Sequence, residues 1–295
     1  MQREKQLKSG RLLEIDFFPV WPDGRRVPTR APKSEITSEA QKKYNQQQAV
    51  KRTIRKINAN FDTGDIWMCP TYEPEKAPSS REEALRDVRN YIRRVKTKRA
   101  AELKRLNKLL QIIPNDVGLQ ERIKRLSAPF KYYGRIEKQV YKSGRYAGLT
   151  NWHFHIFMTG GIDRDILEDM WTKGVRVNAD RFQPEKFGPE AAARYTAKDP
   201  DGDRRFFCSK NLIKPTEKKI DGKISRRSVE RMATLRADDR AYWERRYKGY
   251  RFIRTFPRFN EYNGHWYLSV IMYRTNNPAD LPEWKIDDWA NEEIN

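Results

Sequence analysis

The stretch Trp152-His-Phe-His-Ile-Phe-Met158 carries the main fold signal of this chain, because its aromatic and branched residues are typical of a β-strand. Alternate residues of a strand point to the same face of a sheet, so His153 and His155 share one face and Phe154 lies on the other. The whole chain has 3 histidines. Two of them on one strand face favour a metal-binding pair over a pair that only makes hydrogen bonds.

The segments around this strand follow an order that predicts an α+β fold. Helices should begin at the overlapping capping boxes of Ser79-Ser-Arg-Glu-Glu83, at Asp163, which suits an N-cap, and at Gly188-Pro189. Strand patterns lie at Ile66–Tyr72, Lys131–Glu137, Trp152–Met158 and Val175–Phe182. The order strand, helix, strand, strand, helix, strand is that of the split βαβ (RRM- or ferredoxin-like) plan, an antiparallel sheet with helices packed on one face.

Three regions are predicted along the chain. Residues 1–59 should form a basic, partly helical N-terminal arm or a partly disordered leader, residues 60–215 the core domain, and residues 216–295 a β-rich C-terminal extension. In that extension Asn263-Gly264 predicts a β-hairpin, whose aromatic rings are expected in a core rather than stacked on bases. Within the core domain, basic and leucine-rich residues from about 96 to 128 predict an inserted helical hairpin.

The charge balance points to a polyanionic partner. The chain has 61 Lys and Arg against 40 Asp and Glu, a formal net charge of +21. Such a field attracts nucleic acid, which we expect as partner ahead of an anionic membrane surface or no partner at all. For the basic helices near Lys96–Arg125, phosphate contact is favoured over simple solvation. No apolar run is long enough to cross a bilayer, and 2 cysteines without CxxC spacing fit a reducing cytoplasm.

Glu137 is the candidate third ligand of the histidine pair. It ends the neighbouring predicted strand, and a hairpin would place it beside His153 and His155. Two imidazoles and one carboxylate suit Mn or Mg, with water and a substrate phosphate in the remaining positions. An exposed glutamate paired with Lys138 is the alternative.

The segment Tyr195-Thr-Ala-Lys198 could supply a nucleophile. On a helix over residues 189–198, Tyr195 and Lys198 would share a face. A tyrosinate can attack a phosphodiester and keep the cleaved strand attached, while a nearby cation favours the ionised phenol and neutralises charge on the phosphate. The alternative is an ordinary packing tyrosine on an amphipathic helix.

These motifs together resemble the HUH endonuclease superfamily. Trp152-His-Phe-His-Ile-Phe157 matches its His-hydrophobic-His motif, and Tyr195-Thr-Ala-Lys198 resembles the Tyr-x-x-Lys motif of its single-tyrosine rolling-circle replication initiators. Thr71-Tyr72, after an apolar strand, is similar to its first motif. Ser209-Lys-Asn-Leu-Ile-Lys-Pro215 is similar to the segment after the tyrosine helix in plasmid and phage proteins. The resemblance covers about residues 60 to 215.

One residue departs from the pattern of the family. Pro70 lies within the predicted first-motif strand, although proline has no N–H to donate to a β-ladder. We therefore expect that strand to be bulged or to end at Pro70.

The resemblance implies a metal-dependent enzyme that nicks and joins DNA. Tyr195 would be the nucleophile, Lys198 an accessory cation, and His153, His155 and Glu137 the ligands of Mn or Mg. The implied partners are single-stranded DNA, origin DNA, and a host helicase and polymerase in a bacterial cytoplasm, with no membrane. No Gly-x-x-x-x-Gly-Lys-Ser/Thr loop occurs, so no nucleoside triphosphate is expected to bind.

Two alternatives stay open. A transposase of the same superfamily would share the motifs, although such proteins are generally more compact. A non-catalytic protein that binds an origin or represses transcription would need the charge but not the tyrosine. A relaxase is disfavoured because no third histidine lies near the pair, and a cupin because no glutamate follows it between Ile156 and Gly161.

The charge excess leads to a first prediction. Each phosphate that a lysine or arginine neutralises releases condensed counterions, so affinity for single-stranded DNA should fall steeply as salt rises. Binding measured across a salt series gives the slope of log affinity against log salt. A flat slope would show that the basic residues do not contact DNA.

Overall fold

The computed structural model describes residues 1–21, 39–141, 143–174, 177–184 and 206–274. The elements in chain order are β1 (Gln2–Ser9), β2 (Leu12–Pro19), α1 (Glu39–Asn60), β3 (Ile66–Pro70), a short 3-10 helix (Pro74–Lys76), α2 (Arg81–Ile112), α3 (Val117–Ser127), β4 (Tyr132–Val140), β5 (Thr150–Met158), α4 (Arg164–Asp169), β6 (Val177–Arg181), β7 (Phe206–Cys208), β8 (Thr216–Asp221), α5 (Arg226–Leu235), α6 (Arg240–Arg246), β9 (Arg251–Asn260) and β10 (His265–Tyr273).

These elements form two compact units, each with a five-stranded antiparallel sheet. The central unit consists of the described residues of 61–183 and 206–212, and the terminal unit mainly of those of 1–60 and 213–274. The chain is therefore an α+β protein, as predicted. Among the described residues, no helix combines the length and the apolar character needed to cross a membrane.

The sheet of the central unit has the strand order β6-β3-β5-β4-β7. Its apolar face packs against α2, α3 and α4, and it is built from residues that alternate along the strands. On β3 and β5 these residues include Met68, Phe154 and Ile156, each 0% exposed. They pack with Val88 and Tyr91 of α2 in one cluster. The intervening residues of β5, which include both histidines, consequently lie on the opposite face of the sheet.

Helix α2 begins at the predicted capping box. The Ser80 hydroxyl accepts a hydrogen bond from the Glu83 backbone N–H, and the Glu83 carboxylate accepts hydrogen bonds from Ser79. The predicted helical hairpin is present, but it is not a separate insertion. Helix α2 runs without a break from the core through Ile112, because its buried positions continue at helical spacing as far as Leu106.

The terminal unit corrects the prediction of an N-terminal arm. Strands β1 and β2 form a hairpin within a sheet of order β8-β1-β2-β10-β9, so the two ends of the described chain share one sheet. On β2, Leu13, Ile15 and Phe17 are almost completely buried, and they pack with apolar residues of α5, α6 and β10. The alternation Leu-Leu-Glu-Ile-Asp-Phe-Phe is a strand pattern, and the prediction of an arm overlooked it.

Two predictions for this unit are confirmed, and a third is confirmed in part. Helix α1 is the helical part that was predicted within residues 1–59, and it contacts β1 and β2. Asn263-Gly264 lies in the turn of the hairpin of β9 and β10, where Gly264 has a φ of +64°. The aromatic rings of this hairpin differ in burial. Phe252 and Trp266 pack against the core, whereas Phe256 and Phe259 are exposed.

A buried arginine holds the helical hairpin on the sheet. Arg99 of α2 is 5% exposed. Its guanidinium donates hydrogen bonds to the carbonyl oxygens of Thr159 and Gly160, which follow β5, and to three carbonyl oxygens at the end of α3. A helix C-terminus carries partial negative charge, so these carbonyls compensate the buried cation. Burial still lowers the pKa of Arg99, an effect that the charge of Asp65 opposes.

We therefore predict that Arg99→Met lowers the free energy of unfolding by about 3 kcal/mol, because it leaves several buried carbonyl oxygens without a donor. The control is Arg105→Met on the same helix. Arg105 is exposed and pairs with Glu102, so its replacement should destabilise the protein much less than that of Arg99. Urea unfolding of both variants gives the comparison. Equal losses would show that the carbonyl contacts of Arg99 contribute little.

Candidate metal centre

The candidate centre lies on the face of the central sheet that is opposite α2. Strands β4 and β5 pair as an antiparallel hairpin in which Glu137 is directly opposite His153 and Arg135 opposite His155. The side chains of Glu137, His153 and His155 therefore point to one face, as the sequence predicted. His153 and His155 are 9% and 3% exposed. The site is thus largely enclosed by protein.

The three side chains converge on one point. The Nε2 atoms of His153 and His155 are 3.1 Å apart, and Glu137 Oε2 lies 3.1 Å from the first and 3.6 Å from the second. Adjacent ligands around a divalent ion with bonds of about 2.1 Å are separated by about 3 Å in octahedral geometry. The group of Glu137, His153 and His155 could therefore hold one such ion.

The alternative reading of Glu137 is wrong. Its side chain is 15% exposed and turned toward the two imidazoles, whereas the adjacent Lys138 is exposed. Burial alone would raise the pKa of Glu137, but hydrogen bonds and charge from His153 and His155 outweigh it and lower that pKa to about 2. The carboxylate is consequently ionised across the physiological range and is available as a ligand.

Two further residues of the site were not identified from the sequence. Cys69 Sγ on β3 is 3.2 Å from His155 Nδ1, the ring nitrogen that does not face Glu137. Burial, together with the charges of Asp180 and Glu137, raises the pKa of Cys69 to about 12. A hydrogen bond at the second nitrogen of a histidine orients its ring for a metal. Arg135 Nε lies 3.6 Å from Glu137 Oε1.

The sequence did contain a signal for Cys69 and for its neighbour on the same strand face, Trp67. Trp67 and Cys69 alternate with the buried Met68, so they must lie on the other face of β3. Trp67 stacks against His155, with ring centroids 6.3 Å apart. What local pattern could not reveal is that β3 is the neighbour of β5 in the sheet.

The end of β3 agrees with the expectation from Pro70. The strand ends at Pro70, and the next residue, Thr71, makes an isolated antiparallel bridge to His153. The Thr71 carbonyl oxygen accepts a hydrogen bond from the Trp171 indole N–H. Tyr72 is buried and packs against Phe154 and Trp171. This segment thus borders the site on one side.

The structure does not describe the predicted nucleophile. Tyr195, Lys198 and the predicted helix over residues 189–198 lie outside the described residues. After them, β7 pairs with β4, and the Ser209 backbone N–H donates to the Tyr132 carbonyl oxygen. The segments on both sides of residues 185–205 therefore belong to the described structure, while the roles of Tyr195 and Lys198 stay predictions.

No protein-family model matches this chain, and neither a curated protein nor a solved structure is similar to it at a significant level. The geometry of the site, the charge of the chain and the sequence motifs are consequently the features that indicate function.

We predict that metal-stripped protein binds one Mn²⁺ per chain and that replacing both His153 and His155 with alanine weakens this binding by more than about 100-fold, because both imidazole ligands are lost. His265→Ala is the matched control, since His265 lies on β10 of the terminal unit. Isothermal titration calorimetry measures all three proteins. Unchanged Mn²⁺ binding by the double variant would rule out this centre.

Proposed function

We propose that this protein is a metal-dependent DNA nicking and joining endonuclease that starts rolling-circle replication. The observation that carries the proposal is the convergence of Glu137, His153 and His155 within 3.6 Å on one face of an antiparallel sheet. The strand that supplies the histidines has the His-hydrophobic-His motif of the HUH superfamily, so the geometry and the resemblance point to the same residues.

The topology of the central unit supports the same proposal. Helix α2, followed by α3, connects β3 to β4, and α4 connects β5 to β6. Along the chain, β3, β4, β5 and β6 are the first, second, third and fourth strands of this unit. In the sheet order β6-β3-β5-β4, the first of them, β3, therefore lies between the fourth, β6, and the third, β5. This arrangement is consistent with a split βαβ core of the HUH type, in which helices cover one face and the other face is left for chemistry.

The proposed reaction exchanges one phosphodiester for another. The phenolic oxygen of Tyr195 attacks the phosphorus, forming a 5′-phosphotyrosine bond as the bond to the 3′ oxygen breaks. The phenolic proton leaves, and the departing 3′ oxygen takes up a proton to become a free 3′-hydroxyl. A divalent ion held by Glu137, His153 and His155 would polarise the scissile phosphate. Lys198 would add positive charge beside Tyr195.

Joining follows from the same chemistry. The phosphotyrosine retains the energy of the original phosphodiester, so a bound 3′-hydroxyl can attack it and restore a DNA strand without ATP. The expected absence of a bound nucleoside triphosphate is consistent with this step. The free 3′-hydroxyl would serve as primer for a host polymerase, with a host helicase separating the strands at the origin.

We predict that Tyr195→Phe abolishes the covalent adduct but leaves DNA affinity within about twofold, because it removes only the nucleophilic oxygen. Lys198→Ala should slow adduct formation without eliminating it. Each variant is incubated with labelled single-stranded DNA and Mn²⁺, and protein-linked, cleaved and rejoined products are resolved on denaturing gels. An adduct from Tyr195→Phe would show that the nucleophile is a different residue.

The same assay separates the alternatives. A non-catalytic DNA-binding protein would form no adduct in any variant, and an ordinary hydrolytic nuclease would release free 5′-phosphate ends. A transposase of the same superfamily would cleave and join the ends of a mobile element rather than a replication origin. Two histidines and one carboxylate also hold Fe²⁺ in enzymes that activate oxygen. Adduct formation with Mn²⁺ under anaerobic conditions would exclude that chemistry as the source of cleavage.

A further inference from the structure

A basic cavity lies on the helical side of the central sheet, away from the candidate metal centre. It has a volume of about 430 Å³ and is lined by α2, β4 and β7. Tyr132 and Glu137 are an odd number of residues apart on β4, so their side chains belong to opposite faces of the sheet. The ring of Phe207 packs edge-on against Phe154, on the helical side. The cavity is therefore separate from the three candidate metal ligands.

Three cations form one wall of this cavity. Arg89, Arg93 and Lys96 are exposed and follow one another on α2 at spacings that bring them to a single face of the helix. Elsewhere on α2, Arg86 and Arg105 pair with glutamates. Within the described part of the chain, no acidic side chain pairs with the three cavity cations. Their charge is available to an anionic ligand.

Two aromatic rings also line the cavity. Tyr132 and Phe207 line the cavity with their ring centroids 6.3 Å apart, and both are half-buried. Lys96 Nζ lies 5.8 Å from the centroid of the Tyr132 ring. A ring beside a cation is suited to a flat base attached to a phosphate, because the base can stack on the ring while the phosphate pairs with the cation.

We propose that this cavity is a second binding site for single-stranded nucleic acid, with its phosphates along Arg89, Arg93 and Lys96 and one base against Tyr132 and Phe207. The three cations extend over about 10 Å of helix, which suits successive phosphates of a strand better than one isolated phosphate. In a duplex the bases are paired and stacked inside, so they cannot enter a cavity of this kind. Binding here requires neither the metal nor cleavage.

The test measures binding of fluorescein-labelled oligothymidylate to the full-length protein in EDTA, where metal-dependent nicking cannot occur. One variant replaces Arg89, Arg93 and Lys96 with glutamine. The matched control replaces three exposed lysines of the terminal unit with glutamine. These are Lys218, Lys223 and Lys248. The cavity variant should bind the oligonucleotide at least about tenfold more weakly than the wild type. The slope of log affinity against log salt is negative, and in this variant its magnitude should be smaller by about 2. The control should change the affinity less than about twofold.

The base contact is tested on Tyr132. Tyr132→Leu should weaken oligothymidylate binding by about fivefold or more while leaving polyphosphate binding unchanged, and Tyr132→Phe should retain most of the affinity. An oligonucleotide that contains 5-iododeoxyuridine should crosslink to Tyr132 or Phe207 on irradiation, as identified by mass spectrometry.

Several results would overturn the proposal. Equal losses in the cavity variant and its control would show that only net charge is used. Duplex and single-stranded DNA binding equally well through the cavity would indicate a general polyanion site. The same conclusion would follow if polyphosphate competed with the oligonucleotide and Tyr132→Leu had no effect. Failure of nicking by the wild type would contradict the proposed function and leave this binding result unaffected.

Discussion

The pairing register of β4 and β5 is the constraint on which the central unit depends. Because side chains alternate along a strand, a slip of one residue on β5 would turn His153 and His155 into the apolar core and move Phe154 and Ile156 to the opposite face. Burial of those two apolar side chains against α2 opposes such a slip. The hydrophobic core thus fixes the position of polar side chains that make no contact with it, and Glu137 meets the histidines as a consequence.

The same sheet separates two kinds of chemistry. On one face, Glu137, His153 and His155 converge in a largely buried group, where a carboxylate and two imidazoles suit a hard or borderline cation. On the other face, cations of α2 and aromatic rings of β4 and β7 line an open cavity. Among the described residues, Arg135 brings a cation to the candidate site, where its Nε lies 3.6 Å from Glu137 Oε1.

The candidate site could be predicted to the extent that its residues lie on one hairpin. Glu137, His153 and His155 belong to adjacent strands of the chain, so alternation and hairpin pairing were sufficient to bring them together. Cys69 was not found, because its strand reaches the site through a non-local pairing of β3 with β5. Arg99 was likewise not recognised as buried. Its partners are carbonyl oxygens, which any sequence supplies and which no motif reveals.

Local pattern placed β3, β4, β5 and β6 to within a few residues, and it determined which face of β5 is apolar and where helix α2 is capped. These properties depend on interactions between residues a few positions apart. The edge strand β7 was not predicted. Tertiary structure decided which strands are neighbours. The clearest case is the terminal unit, where Phe17 of β2 is opposite Leu268 of β10, and what resembled a basic arm is a central strand of a sheet. The apolar stripe of β2 requires burial, but only the folded chain determines which surface buries it.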